Sequence, residues 1–232
     1  MPVKIVAVTQ PLLDLDSNGD EIFEPGKQTQ MNAEQFIAYA ARVSNPSNQM
    51  NVETADKLLK YCLKNKHFSI FEMVNVVMQI DTTRDIGRQI LRHGSNKFQE
   101  FSQRYADPTK DMGFVLREAR LQDNKNRQNS IETEDKDLQA EWDQYQQRVI
   151  DAAQSAYKWA IDKGIAKEQA RVVLPEGLTM SRMYMNGTLR SWIHWVELRS
   201  ANGTQKEHQV LALAAREELV QHFGFLKTLW VN

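Results

Sequence analysis

The chain contains a single cysteine, Cys62, and that scarcity excludes an internal disulfide framework, a multi-cysteine zinc site and an iron–sulfur cluster. No metal ligand set is expected, and a reducing, cytoplasmic setting is. Six prolines and ten glycines in 232 residues are too few for a fibrous or low-complexity chain. No apolar run approaches the roughly 20 residues needed to cross a bilayer. The opening residues 1–16 have neither the apolar length nor the small-residue cleavage site of a secretory signal. An excess of one charge is missing as well, since 29 Lys+Arg against 30 Asp+Glu leave a net charge of -1. Without an overall basic field, neither nucleic acid nor a membrane is expected as a partner, and an anionic ligand has to be met by a local cluster.

What is present is ordinary globular composition, 41% apolar and 25% charged, in a length that suits one large domain over residues 1–232. Lys4 to Thr9 is a β-branched run that reads as a strand, and residues 14–25 read as a hairpin turn. Asp14, Asp16, Asn18, Gly19 and Asp20 start like a calcium loop, but Pro25 stands where the chelating glutamate is due. Asn32 can cap a helix burying Phe36, Ile37, Ala40, Ala41 and Val43, and Asn51 a second one burying Ala55, Leu58, Leu59 and Cys62. Val74, Val76, Met78 and Ile80 alternate with polar residues, a half-buried strand followed by a helix from Thr82 or Thr83 to a stop at Gly94. Residues 107–132 read as a polar, exposed connection. A long helix over 133–163 carries Leu138, Trp142, Tyr145, Val149, Ala152, Ala156 and Trp159 as its core face, with Gly164 as the stop. Residues 178–185 read as extended and Asn186-Gly187 as a tight turn. Thr188 caps a helix to Arg199, and Thr204 with Glu207 forms a capping box for the last helix.

Arg84, Arg88 and Arg92 stand four residues apart in one helical row, where like charges repel and an anion is wanted. The alternative is neutralisation by Asp81 and Asp85. Residues 95–105, directly after Gly94, crowd Glu100, Ser102, Arg104 and Tyr105 into a short loop, and arginine's planar fork suits a phosphate. His67 and His194 could instead be core histidines, Ser102 a turn hydroxyl and Arg171 half of a surface ion pair. No histidine and acid are placed to make Ser102 a nucleophile, and Cys62 lies in a helical core pattern rather than a reactive loop.

Arg92-His93, Glu100, Ser102, Arg104 and Tyr105 keep the spacing of the signature of flavin-dependent thymidylate synthases, written RHRxxSxxxxSxRY, and the chain resembles that family. Residues 67–72 (His-Phe-Ser-Ile-Phe-Glu) resemble its His-x-(Ser/Thr)-x-Phe-Glu segment, Arg171 through Pro175 its later arginine segment, and Thr188 through Arg199 its last conserved helix. The chain departs from the pattern at Gly94 (normally arginine), Lys97 (normally serine) and Met73 (often histidine). The resemblance implies an α/β (α+β) fold with a mixed or antiparallel sheet flanked by long helices. It also implies a homotetramer whose active sites form between subunits. The implied reaction is methylation of dUMP to dTMP with FAD, NADPH and methylenetetrahydrofolate. It assigns Gln89, Arg92, Glu100, Ser102, Arg104, Arg171 and Arg199 to dUMP, with Arg199, Ser102 and Arg104 at the chemistry. His67, Ser69, Arg92, His93, Glu100, Arg190 and His194 go to the flavin. Lys97 is expected to replace the charge missing at Gly94. Three other readings stay open: hydroxymethylation of the same nucleotide, a non-catalytic homologue that only binds nucleotide and flavin, and a single-strand RNA binder using Arg92, Arg104 and Tyr105.

Overall fold

The structure, a computed structural model, describes residues 2–15, 21–23 and 31–230. Strand β1 (Val3–Val8) is followed by an antiparallel hairpin of β2 (Leu13–Leu15) and β3 (Glu21–Phe23). The expected hairpin is present in its strands, while the remainder of the Asp-rich segment, residues 16–20 and 24–30, lies outside the described residues. Helix α1 (Ala33–Ala41) begins at Asn32 with a full capping box to Gln35. Val43 lies past its end and is 68% exposed, so it is not part of that core face. Helix α2 (Ala55–Lys64) buries Ala55, Leu59, Cys62 and Leu63. It starts from Thr54 rather than Asn51, because Asn51 spends its side-chain oxygen on the Thr54 amide one turn earlier.

A 3₁₀ turn (Phe68–Glu72) leads into β4 (Asn75–Thr83), helix α3 (Arg84–Ile90) and β5 (Lys97–Glu100). The loop expected after Gly94 is therefore partly a strand, and α3 ends four residues before that glycine. Helix α4 (Pro108–Asp111) and the hairpin β6 (Arg120–Gln122) with β7 (Ser130–Glu132) follow. Then come α5 (Lys136–Asp162), α6 (Lys167–Ala170), β8 (Met180–Thr188), α7 (Leu189–Ser200), α8 (Lys206–His222) and α9 (Lys227–Trp230). The main sheet is antiparallel in the order β1-β4-β8-β5.

The inward residues of β4, Val76, Met78 and Ile80, are fully buried, as are Trp192 and Trp195 of α7. Burying each such side chain contributes about 1.5–3 kcal/mol. The Trp192 indole also donates to the Val76 carbonyl at 2.9 Å, so its one polar atom is satisfied inside the core. Thr188 caps α7 as expected, accepting from the Ser191 amide. The turn expected at Asn186-Gly187 does not form, and β8 runs straight through. Gly187 is needed there for close approach, because a Cβ would stand 2.0 Å from Asn96 Oδ1.

The long helix corrects the sequence reading most. Its buried row is Gln146, Ile150, Ala153, Tyr157 and Ala160, of which Tyr157 and Ala160 pack with Ala170 of α6 and Leu174. The row assigned to the core lies on the outer side, with Trp142, Tyr145, Val149 and Trp159 all more than 40% exposed. Two apolar rows at the same period run along one helix, and within the chain only the narrower one is covered. Gly164 does end the helix, at φ +76°. Helix α8 begins after Gln205 without the expected capping box, since the Glu207 carboxylate is turned to Arg117, Arg120 and Gln205. Those arginines show that residues 107–132 are not merely an exposed connection: Arg117 and Arg120 have side chains only 16% and 12% exposed. Among the described residues no helix is long and apolar enough to cross a membrane.

Candidate functional site

Helix α3 springs directly from the end of β4, and α7 directly from the end of β8. Two neighbouring strands thus aim two helices from the sheet, and the candidate residues ride on them. Gln89 is on α3, Arg92 and His93 just beyond its end, and Arg199 in the last turn of α7. Arg199 Nε donates to His93 Nε2 at 2.9 Å, joining the two helix ends. Burial, then the charges of Arg199, His194 and Arg92, push the His93 imidazole down to about 4. It is therefore neutral at pH 7 and serves Arg199 as an acceptor. Burial and the neighbouring Arg92 charge likewise lower Arg199. The Arg92 side chain is exposed and has no hydrogen bond or ion pair among the described residues. Two guanidiniums repel here, and among the described residues neither has a carboxylate partner.

On the far side of α7, Arg190 and His194 share a face, one turn apart, as the helical spacing requires. They line a cleft of about 490 Å³ with Phe68, Glu72, Ser95 and Ser191. Arg190 is paired with Glu72 at its rim. His67 and Ser69 flank Phe68 in the 3₁₀ turn; both are exposed, and so is His194. The core-histidine alternative is thereby removed for His67 and His194.

The remaining candidates gather at the end of β5 and around α6. Glu100 Oε1 accepts from Ser181 at 2.9 Å and pairs with Arg84 at 3.3 Å. Arg88 Nε donates to Glu176 at 2.7 Å, and this hydrogen bond holds the Glu176 carboxyl below its usual range. Arg104 pairs with Glu168 at 3.1 Å. Ser102 is exposed and its hydroxyl accepts from the Arg104 amide at 3.4 Å, the turn role weighed for it. Arg171, weighed as an ion pair, has none among the described residues; it lines a cleft of about 380 Å³ with Arg84, Arg88, Gln103 and Glu168. The arginine row of α3 is not neutralised by Asp81 and Asp85, which pair with Arg182 and Arg117 instead. Its partners Glu100 and Glu176 come from distant segments that local spacing does not show.

The candidates thus fall into two groups. Gln89, Arg92, His93 and Arg199, with His67, Ser69, Arg190 and His194 nearby, form one; Glu100, Ser102, Arg104 and Arg171 form the other. No hydrogen bond or ion pair among the described residues joins a member of one group to a member of the other. His208, Ser181, Glu168 and Glu176 were not found from the sequence, because each acts through a long-range partner and carries no local signal. Gln103, buried in the lining of the Arg171 cleft, was not found either. Among the described residues no three His, Cys, Asp or Glu side chains gather as a metal site.

An antiparallel sheet thus presents the Arg92 and Arg199 guanidiniums near a cleft lined by Arg190, His194, two serines, Phe68 and the carboxylates of Glu72 and Glu197. Residues 28–223 match the family described as thymidylate synthase complementing protein. The probable flavin-dependent thymidylate synthase of Paramecium bursaria Chlorella virus 1 is 46% identical, over 96% of this chain and 95% of the relative. The flavin-dependent thymidylate synthase of Synechocystis is 44% identical, over 96% of both chains. The chain belongs to the flavin-dependent thymidylate synthase family, a family of enzymes. The same fold is seen in the UMP/dUMP methylase PolB of Streptomyces cacaoi, solved with 5-Br dUMP. That structure has a TM-score of 0.72 at 21% identity and covers 96% of this chain and 91% of PolB.

Proposed function

We propose that the protein methylates dUMP to dTMP reductively, with methylenetetrahydrofolate as one-carbon donor, NADPH as reductant and FAD as cofactor, as a cytoplasmic homotetramer of single-domain chains. The observation that carries this reading is the Arg92–Arg199 pair, one exposed and one half-buried, whose charges repel without a carboxylate partner among the described residues. A nucleotide phosphate or a uracil oxygen bearing developing charge supplies the missing negative partner. In this reading Gln89, Arg92 and Arg199 hold dUMP from one group, and Glu100, Ser102, Arg104 and Arg171 hold it from the other.

Arg199 is half-buried and oriented through its Nε by neutral His93, which leaves its remaining N–H donors free for the ring. A guanidinium fixed beside a uracil carbonyl stabilises the negative charge that builds on the ring as C5 becomes nucleophilic. Arg104 acts at the phosphate with the Ser102 hydroxyl, which positions and does not attack. Glu100 accepts from Arg84 and Ser181 and has an oxygen left for a ligand hydroxyl or imide.

The cleft lined by Arg190, His194, Phe68, Ser95 and Ser191 offers a cation and hydroxyls for a flavin dinucleotide's pyrophosphate and a ring for stacking, beside two carboxylates, Glu72, which pairs with Arg190, and Glu197. His67, Ser69, Arg92, His93, Glu100, Arg190 and His194 would hold it, and the chemistry a bound flavin supplies is hydride transfer. Assembly from several copies is supported by two features. The candidate groups are not linked within the chain, and α5 carries an uncovered apolar row along its length of about 40 Å.

The test is mass spectrometry of the nucleotide after incubation with dUMP, methylenetetrahydrofolate, NADPH and FAD. A methylated product is expected. A hydroxymethylated product, or binding without turnover, contradicts the reading.

A further inference from the structure

We propose that His208 is a positioning residue that, with Gln205, holds the Gln89 carboxamide in a single orientation toward the nucleotide. The inference rests on the reading of Gln89 as a dUMP contact. His208 stands in the first turns of α8 and is fully buried. Its Nδ1 lies 3.2 Å from Gln89 Oε1, and Gln89 Nε2 donates to Gln205 Oε1 at 2.8 Å. Gln205 Nε2 in turn donates to Glu207 at 2.9 Å, and Glu207 is held by Arg120 at 2.6 Å and Arg117 at 3.1 Å. Arg117 reaches Asp85 at 2.8 Å, one helical turn before Gln89 on α3, so the network closes on the helix where it begins.

The chemistry of this chain of groups leaves one arrangement. Glu207 is ionised, since burial would raise it but the Arg120 and Gln205 hydrogen bonds and the Arg117 charge bring it below its usual range. An ionised carboxylate only accepts, so Gln205 turns its amide nitrogen to Glu207 and its oxygen to Gln89. Gln89 must then give a proton to Gln205 and turn its oxygen to His208, and His208 must carry its proton on Nδ1. The neutral imidazole that burial enforces does carry one proton, and its Nε2 is left buried without a partner. Gln89 keeps one N–H and one oxygen lone pair for a ligand, in an order dictated from Glu207. A reversed carboxamide would present a donor where the nucleotide needs an acceptor. His208 anchors the oxygen end of Gln89, and without it the carboxamide is held only through its nitrogen, by Gln205.

The experiment measures dUMP affinity calorimetrically on the FAD-loaded full-length protein for Gln89→Ala, His208→Leu, His208→Asn and the Gln89→Ala/His208→Leu double variant. Leucine fills the buried volume without a donor, whereas asparagine places an N–H where Nδ1 stands. The expected results are a loss of about tenfold for His208→Leu, recovery to within about threefold for His208→Asn, and no further loss when His208→Leu is added to Gln89→Ala. Equal losses in His208→Leu and His208→Asn, additive losses in the double variant, or an unchanged His208→Leu beside a weakened Gln89→Ala would overturn the proposal. An unchanged Gln89→Ala would instead overturn the reading of Gln89 as a substrate contact, and the role of His208 with it.

Discussion

The two arginine clusters of this chain differ in what surrounds them. At the junction of α3 and α7, Arg92 and Arg199 have, among the described residues, neutral histidines and each other as neighbours and no carboxylate partner. At the end of β5 and around α6, Arg84, Arg88 and Arg104 each meet a carboxylate, from Glu100, Glu176 and Glu168, and only Arg171 does not. Counted by arginines alone, the second region, with four against two, is the more basic. What a ligand senses is the charge left after internal pairing, so the first cluster is open to an anion and the second exposes Arg171 inside a frame of satisfied pairs.

The largest expected effect separates the two. Arg92→Ala or Arg199→Ala should weaken dUMP binding by about ten- to a hundredfold, the loss of a charge-assisted hydrogen bond. Arg88→Ala should cost less than about threefold, because its partner already screens it. Equal losses at Arg88 and Arg92 in a calorimetric titration would erase the distinction drawn between the clusters.

Next in size is the departure at Gly94. A Cβ built there meets nothing within 4 Å, so a side chain is sterically admissible. If the charge missing at Gly94 is replaced by Lys97, Lys97→Ala should lower flavin affinity by about tenfold, and Gly94→Arg should restore it in that background. An unchanged flavin affinity in Lys97→Ala removes Lys97 from the flavin site.

Acid stability sharpens the comparison further, because the open cluster contains the two depressed histidines. His93 and His208 titrate at about 4 and about 3 when folded, both starting from 6.5. Above pH 6.5 neither state is charged and their contribution is complete. As pH falls from 6.5 toward 4 and then 3, the unfolded chain takes up protons that the folded one refuses, and stability declines. A Tm series over that window should be flatter for His208→Leu than for the unsubstituted protein. Identical slopes would place the acid sensitivity elsewhere.

The smallest effect belongs to the paired cluster. Glu176→Gln should leave Tm nearly unchanged, since the Arg88–Glu176 pair is half exposed and such pairs contribute about 0–1 kcal/mol. It should raise the affinity of the adjoining cleft for inorganic phosphate a fewfold. A marked loss of stability would show that this pair holds structure rather than screening charge.

What was legible in the sequence follows the range of the interaction concerned. The Asn32 cap, the alternation of Val76, Met78 and Ile80, the Thr188 cap and the shared face of Arg190 and His194 are decided within a few residues, and all are present. The α5 row was misread because periodicity shows that a helix has an apolar face but not which of two rows a neighbouring element covers. Asn186-Gly187 has the composition of a turn, yet its glycine answers a side chain some ninety residues away, Asn96. The candidate residues themselves were legible by resemblance, while the groups that hold them, Glu176, Glu168 and His208, come from segments with no local mark. Their roles are fixed by tertiary contact alone.

The central claim is that one dUMP site takes its two arginine groups from different copies of the chain. Subunit complementation tests it most directly, by mixing Arg199→Ala with Arg171→Ala, each inactive alone, under conditions that allow subunits to exchange. Random reassembly leaves both groups intact in about one site in four, so about a quarter of the unsubstituted activity should return. Activity that stays at the level of the separate variants, with exchange verified by native mass spectrometry, would mean that each site is built within one chain and would contradict the account.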